Sequence, residues 1–471
     1  MRTWGVLFVL CGTIFMEGVD VALLNVALPA IRADLGLSTA MLSGVVSAYV
    51  LGFGGFILLG GRAADMLGRR RMFLTWLAIF VLFSGLGGLA TEGWMLLLAR
   101  FVTGLAAAFI APAGLATEGW MLLLARFVTG LAAAFIAPAG LSLITANFAE
   151  GTMRNRALII YGAVGGAGYS LGMVAGGVLT SFGWRWVFFA PVIFAALLLA
   201  AAIPLIRDNG ERTRGRFDLA GAVTVTAAML LLIYGVVRLE DPDLWAVPIF
   251  AAGFALVAGF VAIERRASYP LVRLGLLKTV SRTNVSATLF MASFSAFQFL
   301  VTLHLQEERG WSTLETGLIM ATMGVDAILG PTVTPWLIRK YGTVRVILAG
   351  AVVGAAAYLL FLPTGIDRAA LVMLPALLLV GVAFALAYGP YTIAATDGVA
   401  EREHGLAGGL LYTCVQFGMA LGVSAATAVY ATGSLQAALL IPVAGAVLAA
   451  ALVGYQTQSR ISGTSSPVSR V

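Results

Sequence analysis

Few side chains in this 471-residue chain can do chemistry, and they are spread thinly. Glu17 and Asp20 stand three apart inside the apolar run TWGVLFVLCGTIFMEGVDVALLNVALPAI, so on a helix they share one face. Two carboxylates that close, in a medium of low dielectric, compete for ionisation, which is the condition for either to bind and release a proton. Asp326, inside LIMATMGVDAILGP, is a solitary acid in the middle of a second expected helix, and Arg126, inside LLLARFVTGLAAA, is a solitary base in a third. Arg126 is expected to pair with a carboxylate or a carbonyl, because a lone buried charge is costly. Asp20 has a structural alternative, as partner of Asn25 or of a neighbouring helix. Asp397, near the end of an apolar run, fits a solvated cap. His304 and His404 stand alone, Cys11 and Cys414 lie inside separate apolar runs, and no Cys/His spacing suggests a metal site. The only lysines, Lys278 and Lys340, do not follow Gly as a phosphate-binding loop requires. No cofactor, nucleic-acid partner or enzymatic centre is expected.

The elements that must hold these residues are set by composition. Sixty per cent hydrophobic and eleven per cent charged residues describe a chain that a water-soluble core could not absorb, so an all-α polytopic membrane protein is expected. Apolar stretches long enough to cross a bilayer lie near 4–29, 41–60, 72–90, 94–113, 120–146, 156–180, 185–206, 217–238, 244–263, 283–305, 314–337, 342–362, 370–395, 405–430 and 435–456. The first carries Glu17 and Asp20, which the core of a cleaved signal peptide would not, so it is expected to remain as a helix. The largest polar breaks, RDNGERTRGRF at 207–217 and ERRASYPLVRLGLLKTVSR at 264–282, are too short for a soluble domain.

One of those stretches is a copy. GLATEGWMLLLARFVTGLAAAFIAPA runs from Gly88 to Ala113 and again, unchanged, from Gly114 to Ala139. If only one copy spans, 22 of the 29 Lys and Arg residues fall in breaks on the amino-terminal side of the membrane and five on the other; if both span, the asymmetry inverts. The positive-inside rule therefore predicts fourteen orthodox spans, one misfit copy and both termini in the cytoplasm. The second copy continues into GLSLITANFAEG and makes a complete helix, so Arg126, not Arg100, is expected at the working position. The first copy, roughly 91–116, is expected to lie outside the pattern, the product of a recent in-frame duplication or an error in the gene model.

The loop GGRAADMLGRRRMF places Gly61, Asp65, Gly68, Arg69 and Arg70 between the second and third spans. Glycines permit a tight turn, and a carboxylate among arginines at a helix start can form a latch that breaks and re-forms. This loop resembles the signature of the major facilitator superfamily. EGVDVALLNVALPAI, LLLARFVTGLAAA, GWRWVFF, LHLQEERGWSTLETG and HGLAGGLLYTCVQFGMALGVS are similar, in order, to motifs of its fourteen-span drug:proton antiporters, and the resemblance covers nearly the whole chain. Met66 replaces an Arg of the loop motif and Thr129 a Gln of the fourth helix. GAVGGAGYSLGMVAGG keeps the glycine spacing of the antiporter motif, with Met173 where Pro is usual.

The resemblance implies two six-helix halves around a midplane cavity, working by alternating access. The N-terminal half would be 1–206 (with the duplicated 88–139), a helix pair and its cytoplasmic loops 207–282, the C-terminal half 283–456 and a polar tail 457–471. LIRKYGTVR (337–345) is a faint echo of ADMLGRRR in the other half. The implied activity is proton-coupled export of a lipophilic or cationic drug by a monomer in the plasma membrane, with Asp20, Glu17, Asp326 and Arg126 as candidates for coupling. Asn25, Tyr49, Phe53, Tyr388, Tyr391, Tyr412 and Gln416 are the candidates for lining the cavity, since aromatic faces with an acid suit such cations. A dedicated exporter of a lipid or secondary metabolite, and a transport-inactive scaffold or defective allele, are the alternatives.

Overall fold

A computed structural model describes residues 2–37, 39–88, 119–148, 152–207, 218–238, 246–267, 274–362, 369–397, 399, 404–432 and 434–463. All but Gly88 of the first copy of the repeat lies outside these residues, as do most of the polar breaks whose charges predict the topology.

Where the chain is described it is helical. The elements are α1 (Arg2–Leu35), α2 (Thr39–Leu67), α3 (Arg69–Gly88), α4 (Gly119–Asn147), α5 (Thr152–Ser181), α6 (Trp186–Leu205), α7 (Leu219–Arg238), α8 (Ala246–Arg266) and α9 (Leu274–Leu303). They continue as α10 (Thr313–Met320), α11 (Asp326–Thr332), α12 (Thr334–Tyr341), α13 (Thr343–Phe361), α14 (Ala369–Thr396), α15 (His404–Thr432) and α16 (Leu435–Gly463). Among the described residues nine helices are long and apolar enough to cross a membrane. Backbone groups cannot go unpaired in lipid, and a helix satisfies them within one segment.

Several boundaries differ from the sequence reading, α1 and α2 among them, which run to Leu35 and Leu67 instead of 29 and 60. The span at 314–337 is not one helix: a 3₁₀ turn over Ala321–Val325 separates α10 from α11, and Thr334 starts α12. Asp326 is therefore not in the middle of a helix but at the first position after a break, where the backbone ladder is already interrupted. The helix expected from 283 begins at Leu274, and the last one runs past 456 to Gly463. Polar residues do not stop a helix where it leaves the hydrocarbon, because its hydrogen bonds are internal.

Two large apolar cores form among the described residues, with two smaller clusters beside them. One is built from α1–α6, the other from α9–α16 with Ala22, Val26 and Met173 of α1 and α5 added to it. Within the first, α1 packs on α5 and α2 on α4; within the second, α9 packs on α15, and the broken run around α11 packs on α14. Between them α5 meets α10 along one seam and α2 meets α15 along another, with α7 resting on both α2 and α15. The echo between the halves has a backbone form. Gly68, between α2 and α3, and Gly342, between α12 and α13, both adopt positive φ (102° and 84°), a conformation that side chains with a Cβ rarely take.

The end of the bundle away from the start of α1 is tied shut. Arg32 of α1 makes a two-pronged bond to Glu307 (2.8 and 3.0 Å), and the Gln306 amide donates to the Val26 carbonyl at 3.1 Å. Glu307 and Gln306 belong to a π-helical turn, His304–Glu308, that widens the end of α9. In the same turn Glu308 accepts from Tyr430 of α15 (2.9 Å) and bonds the His304 ring (2.7 Å).

Candidate functional site

The site begins with close packing. An added Cβ on Gly130 of α4 would lie 2.0 Å from the Tyr49 carbonyl oxygen, and one on Gly52 of α2 2.1 Å from that of Phe127. Glycine at both positions lets the two backbones touch. That contact brings Arg126, one turn from Gly130, over the ring of Tyr49, with its guanidinium carbon 4.6 Å from the ring centre. Tyr49 is stacked in turn on Phe53, centroids 6.0 Å apart.

Arg126 then reaches α1. Its Nη1 donates to Asp20 Oδ2 at 2.6 Å, and both side chains are 2% exposed. Asp20 thus pairs with the arginine and not with Asn25. The Arg126 Nε has no hydrogen-bond partner among the described residues. Thr129, in the place of the expected Gln, turns its hydroxyl back to the Arg126 carbonyl (3.0 Å) and takes no part.

Glu17, one turn before Asp20, is differently placed. It is half-buried and has no hydrogen bond or ion pair among the described residues. Its carboxylate is within electrostatic range of Tyr49 of α2, Tyr161 of α5, Tyr388 of α14 and Tyr412 of α15. Tyr388 and Tyr412, with Met291, Tyr391, Thr392 and Val415, line a small cavity. Tyr391 is anchored by Ser286 at 2.7 Å, and Gln416 is buried one turn beyond Tyr412.

A second polar cluster lies deeper between the cores. Tyr169 of α5 donates to Gln298 Oε1 of α9 at 2.5 Å, with the Asn25 side chain of α1 nearby. The Gln298 Nε2, buried, has no partner among the described residues. Tyr169 and Asp326 face a second small cavity with Met173, Phe294, Met323 and Phe384. Rings join the two cavities: Phe294 to Phe384 at 4.6 Å, and Phe384 stacked on Tyr388 at 4.9 Å.

The structure thus gathers Glu17, Asp20, Arg126, Tyr49 and Phe53 at one place, Tyr388, Tyr391 and Tyr412 beside it, and Asn25 with Asp326 at another. Tyr161, Tyr169 and Gln298 were not among the expected residues. Their signal was available: each is a polar group inside an otherwise apolar span. The cytoplasmic-loop group stands apart from the site. Arg70 donates to the carbonyls of Ile206 (2.5 Å) and Ile203 (3.0 Å) at the end of α6, where the helix dipole favours a cation. Gly68 makes the turn, and Arg69 begins α3. The surroundings of Gly61 and the side chain of Asp65 lie outside the described residues.

A buried ion pair, a half-buried acid one turn from it and two small cavities, one among the C-terminal helices and one between the two helix groups, suit a protein that binds a small molecule inside a membrane. The model of the Major Facilitator Superfamily matches residues 10–117 and 115–423, one copy of the repeat falling in each stretch. The chain belongs to the major facilitator superfamily. As a member it is a multi-pass membrane transporter of a small molecule and not an enzyme. Among its relatives, the cephamycin export protein CmcT of Amycolatopsis lactamdurans is 36% identical over 438 residues, covering 90% of this chain and 84% of that protein. The lincomycin resistance protein of Streptomyces lincolnensis is 33% identical over 89% of this chain and 83% of its own length. The puromycin resistance protein pur8 of Streptomyces alboniger is 32% identical, over 90% and 80%. A crystal structure of a POT family transporter in complex with 5-aminolevulinic acid superimposes with a TM-score of 0.69 at 12% identity, covering 97% of this chain and 95% of that one. That likeness is one of superfamily fold alone.

Proposed function

We propose that this transporter is a proton-coupled exporter of lipophilic or cationic small molecules, with Asp20 and Arg126 as the coupling pair. The observation that carries this is the 2.6 Å ion pair between α1 and α4, with both partners sealed from solvent. A proton arriving at Asp20 would cancel its charge and leave Arg126 to find another acceptor, so one proton changes the balance of forces between two helices. Alternating access then consists of the two halves, 1–206 and 283–456, rocking about the midplane, with 207–282 as a helix pair alongside. The closed end, held by Arg32 and Glu307, faces outside in this reading; both termini lie in the cytoplasm and the chain works as a monomer in the plasma membrane.

The substrate class is supported by the tyrosine-lined cavity and by the relatives. CmcT is named for export of cephamycin, and the other two for resistance to lincomycin and puromycin. Each is named for a single antibiotic, which favours a dedicated exporter of one natural product as the second reading. The complete α4 supplied by the second copy argues against an inactive scaffold.

The test is transport into everted membrane vesicles. Uptake of puromycin or a related antibiotic is expected when an inside-acid gradient is imposed and is expected to collapse with a protonophore. Asp20→Asn should abolish gradient-driven uptake while leaving the protein in the membrane. Uptake indifferent to the gradient would remove the antiport reading.

A further inference from the structure

The closed end of the bundle holds a titratable group that the transport reading does not use. His304 begins the π-helical turn at the end of α9, and its side chain is 7% exposed. Its ring is held at both nitrogens: Arg309 Nε lies 3.0 Å from Nε2, and Glu308 Oε2 lies 2.7 Å from Nδ1. A guanidinium N–H can only donate, so Nε2 must accept, and the proton of the neutral ring sits on Nδ1 and is donated to Glu308. The i to i+5 spacing of a π turn brings residues 304 and 309 together. Their backbones are joined as well, the Arg309 N–H to the His304 carbonyl at 3.0 Å.

We infer that His304 is a proton-binding site that unlocks this end of the bundle. A second proton has only Nε2 to go to, and there it meets the Arg309 N–H, so two donors and two positive charges face each other across 3.0 Å. The Glu308 bond survives protonation; the contact that yields is the one to Arg309. One of the two bonds that clasp the π turn is then gone. That turn carries the polar ties to α1, from Gln306 to the Val26 carbonyl and from Glu307 to Arg32. The proton binds better where the end is open, so adding protons shifts the population that way. The closed form prefers the neutral ring, and its share falls as pH falls. The site lies outside the midplane and works whether or not Asp20 carries the coupling proton.

The surroundings leave this response to the two neighbours on the ring. From α13 the Phe361 ring meets the imidazole nearly at right angles, with 6.4 Å between centroids. From α15 the Tyr430 hydroxyl donates to the other oxygen of Glu308 and steadies that carboxylate. Glu307 is occupied by Arg32 of α1, and Glu315 of α10 by the Ser312 cap. The charges in contact with the imidazole are thus Glu308 and Arg309, one on each nitrogen.

The chain has two histidines, so NMR of ring-labelled histidine gives two imidazole spectra, and His304→Gln identifies which is which. The purified full-length protein in nanodiscs is scanned from about pH 8 to 5, the range in which imidazoles titrate. The wild type is expected to show the Nδ1–H tautomer of His304 at the alkaline end and a second ring proton at the acid end. Spin labels at Phe182 and Leu314, in a chain with Cys11 and Cys414 replaced by Ala, read the opening of this end. The ratio of open to closed populations should rise by about tenfold over the same titration, the worth of one hydrogen bond to a charged group. His304→Gln should hold the ratio constant with pH, and His304→Lys, a permanent cation, should keep it high throughout. Asp20→Asn, in which the midplane pair cannot take up the proton, should leave the response in place. An Nε2–H tautomer at the alkaline end overturns the assignment, and so does a His304→Gln protein that opens with acid as the wild type does. Loss of the response in Asp20→Asn would move the proton site to the midplane.

Discussion

Asp20 of α1 and Arg126 of α4 meet at 2.6 Å, each 2% exposed, with the ring of Tyr49 lying over the guanidinium. Each charge replaces the water the other has lost, so the pair is held by mutual need more than by net gain. It is also a tie between helices 106 residues apart in sequence.

Removing one partner should therefore cost more than removing both. Arg126→Ala is expected to destabilise the protein by about 3–5 kcal/mol, the cost of stranding a buried charge. The double variant Asp20→Asn, Arg126→Leu should regain much of that stability without regaining transport. Thermal unfolding in detergent reads the first effect and vesicle uptake the second. An Arg126→Ala protein that melts with the wild type would show that Asp20 does not depend on it.

The Arg32–Glu307 pair is of a different kind. Its side chains are 34% and 28% exposed, so water screens it and its worth to stability is about 0–1 kcal/mol. Its effect should appear in the balance of conformations. Glu307→Arg would oppose two like charges between α1 and α9, and the end they close should open more often. Spin labels at Phe182 and Leu314 are expected to report a longer-distance population with nearly unchanged melting. Identical distance distributions would mean that Gln306 and the apolar seam suffice to keep this end closed.

The glycines of α5 divide into two groups with different consequences. A Cβ on Gly172 would sit 2.8 Å from Val19 Cα of α1, inside one core. A Cβ on Gly177 would sit 2.9 Å from Leu314 Cα of α10, across the seam between cores. Gly172→Val is expected to lower stability by about 1–3 kcal/mol through overpacking. Gly177→Val should instead hinder closure of the seam, lengthening the same Phe182–Leu314 distance while the melting temperature changes less. Equal losses of stability would contradict the distinction.

The duplicated segment makes a prediction of its own. The second copy supplies the complete α4, packed on α2 and α3, with Arg126 on Asp20. Deleting residues 88–113 should leave transport equal to or above that of the full chain. Single cysteines introduced at positions 152 and 211 should be labelled by a membrane-impermeant reagent only from the cytoplasmic side. Labelling from outside would mean that both copies span the membrane.

Much of this was legible in the sequence, for identifiable reasons. A membrane-spanning helix must be apolar along its whole length, so composition alone marks it, and a solitary Arg126 or Asp20 stands out against that background. Gly68 and Gly342 sit where a one-residue turn demands positive φ, so the echo between halves showed even at low similarity. What stayed open was anything that depends on which way a helix faces. Asp20 had Asn25 or a neighbouring helix as its possible structural partners, and Arg126 a carboxylate or a carbonyl; the structure joins the two to each other across α1 and α4. Arg70 likewise reaches the carbonyls at the end of α6, more than 130 residues away, a contact that no local spacing announces.

The sequence by itself determined that this is a many-helix membrane protein, which residues are the costly ones, and which family it resembles. Tertiary structure decided which carboxylate is committed and which is open, that Tyr161, Tyr169 and Gln298 join the site, and that the run after Thr313 is broken before Asp326. The reason is physical. In a water-soluble helix the apolar stripe shows which face turns inward, but lipid and protein interior are alike in polarity, so these helices are apolar on every side and carry no such mark. Their rotation and depth are fixed only by where small residues let backbones meet, as Gly130 meets Tyr49, and those contacts join segments far apart in the chain.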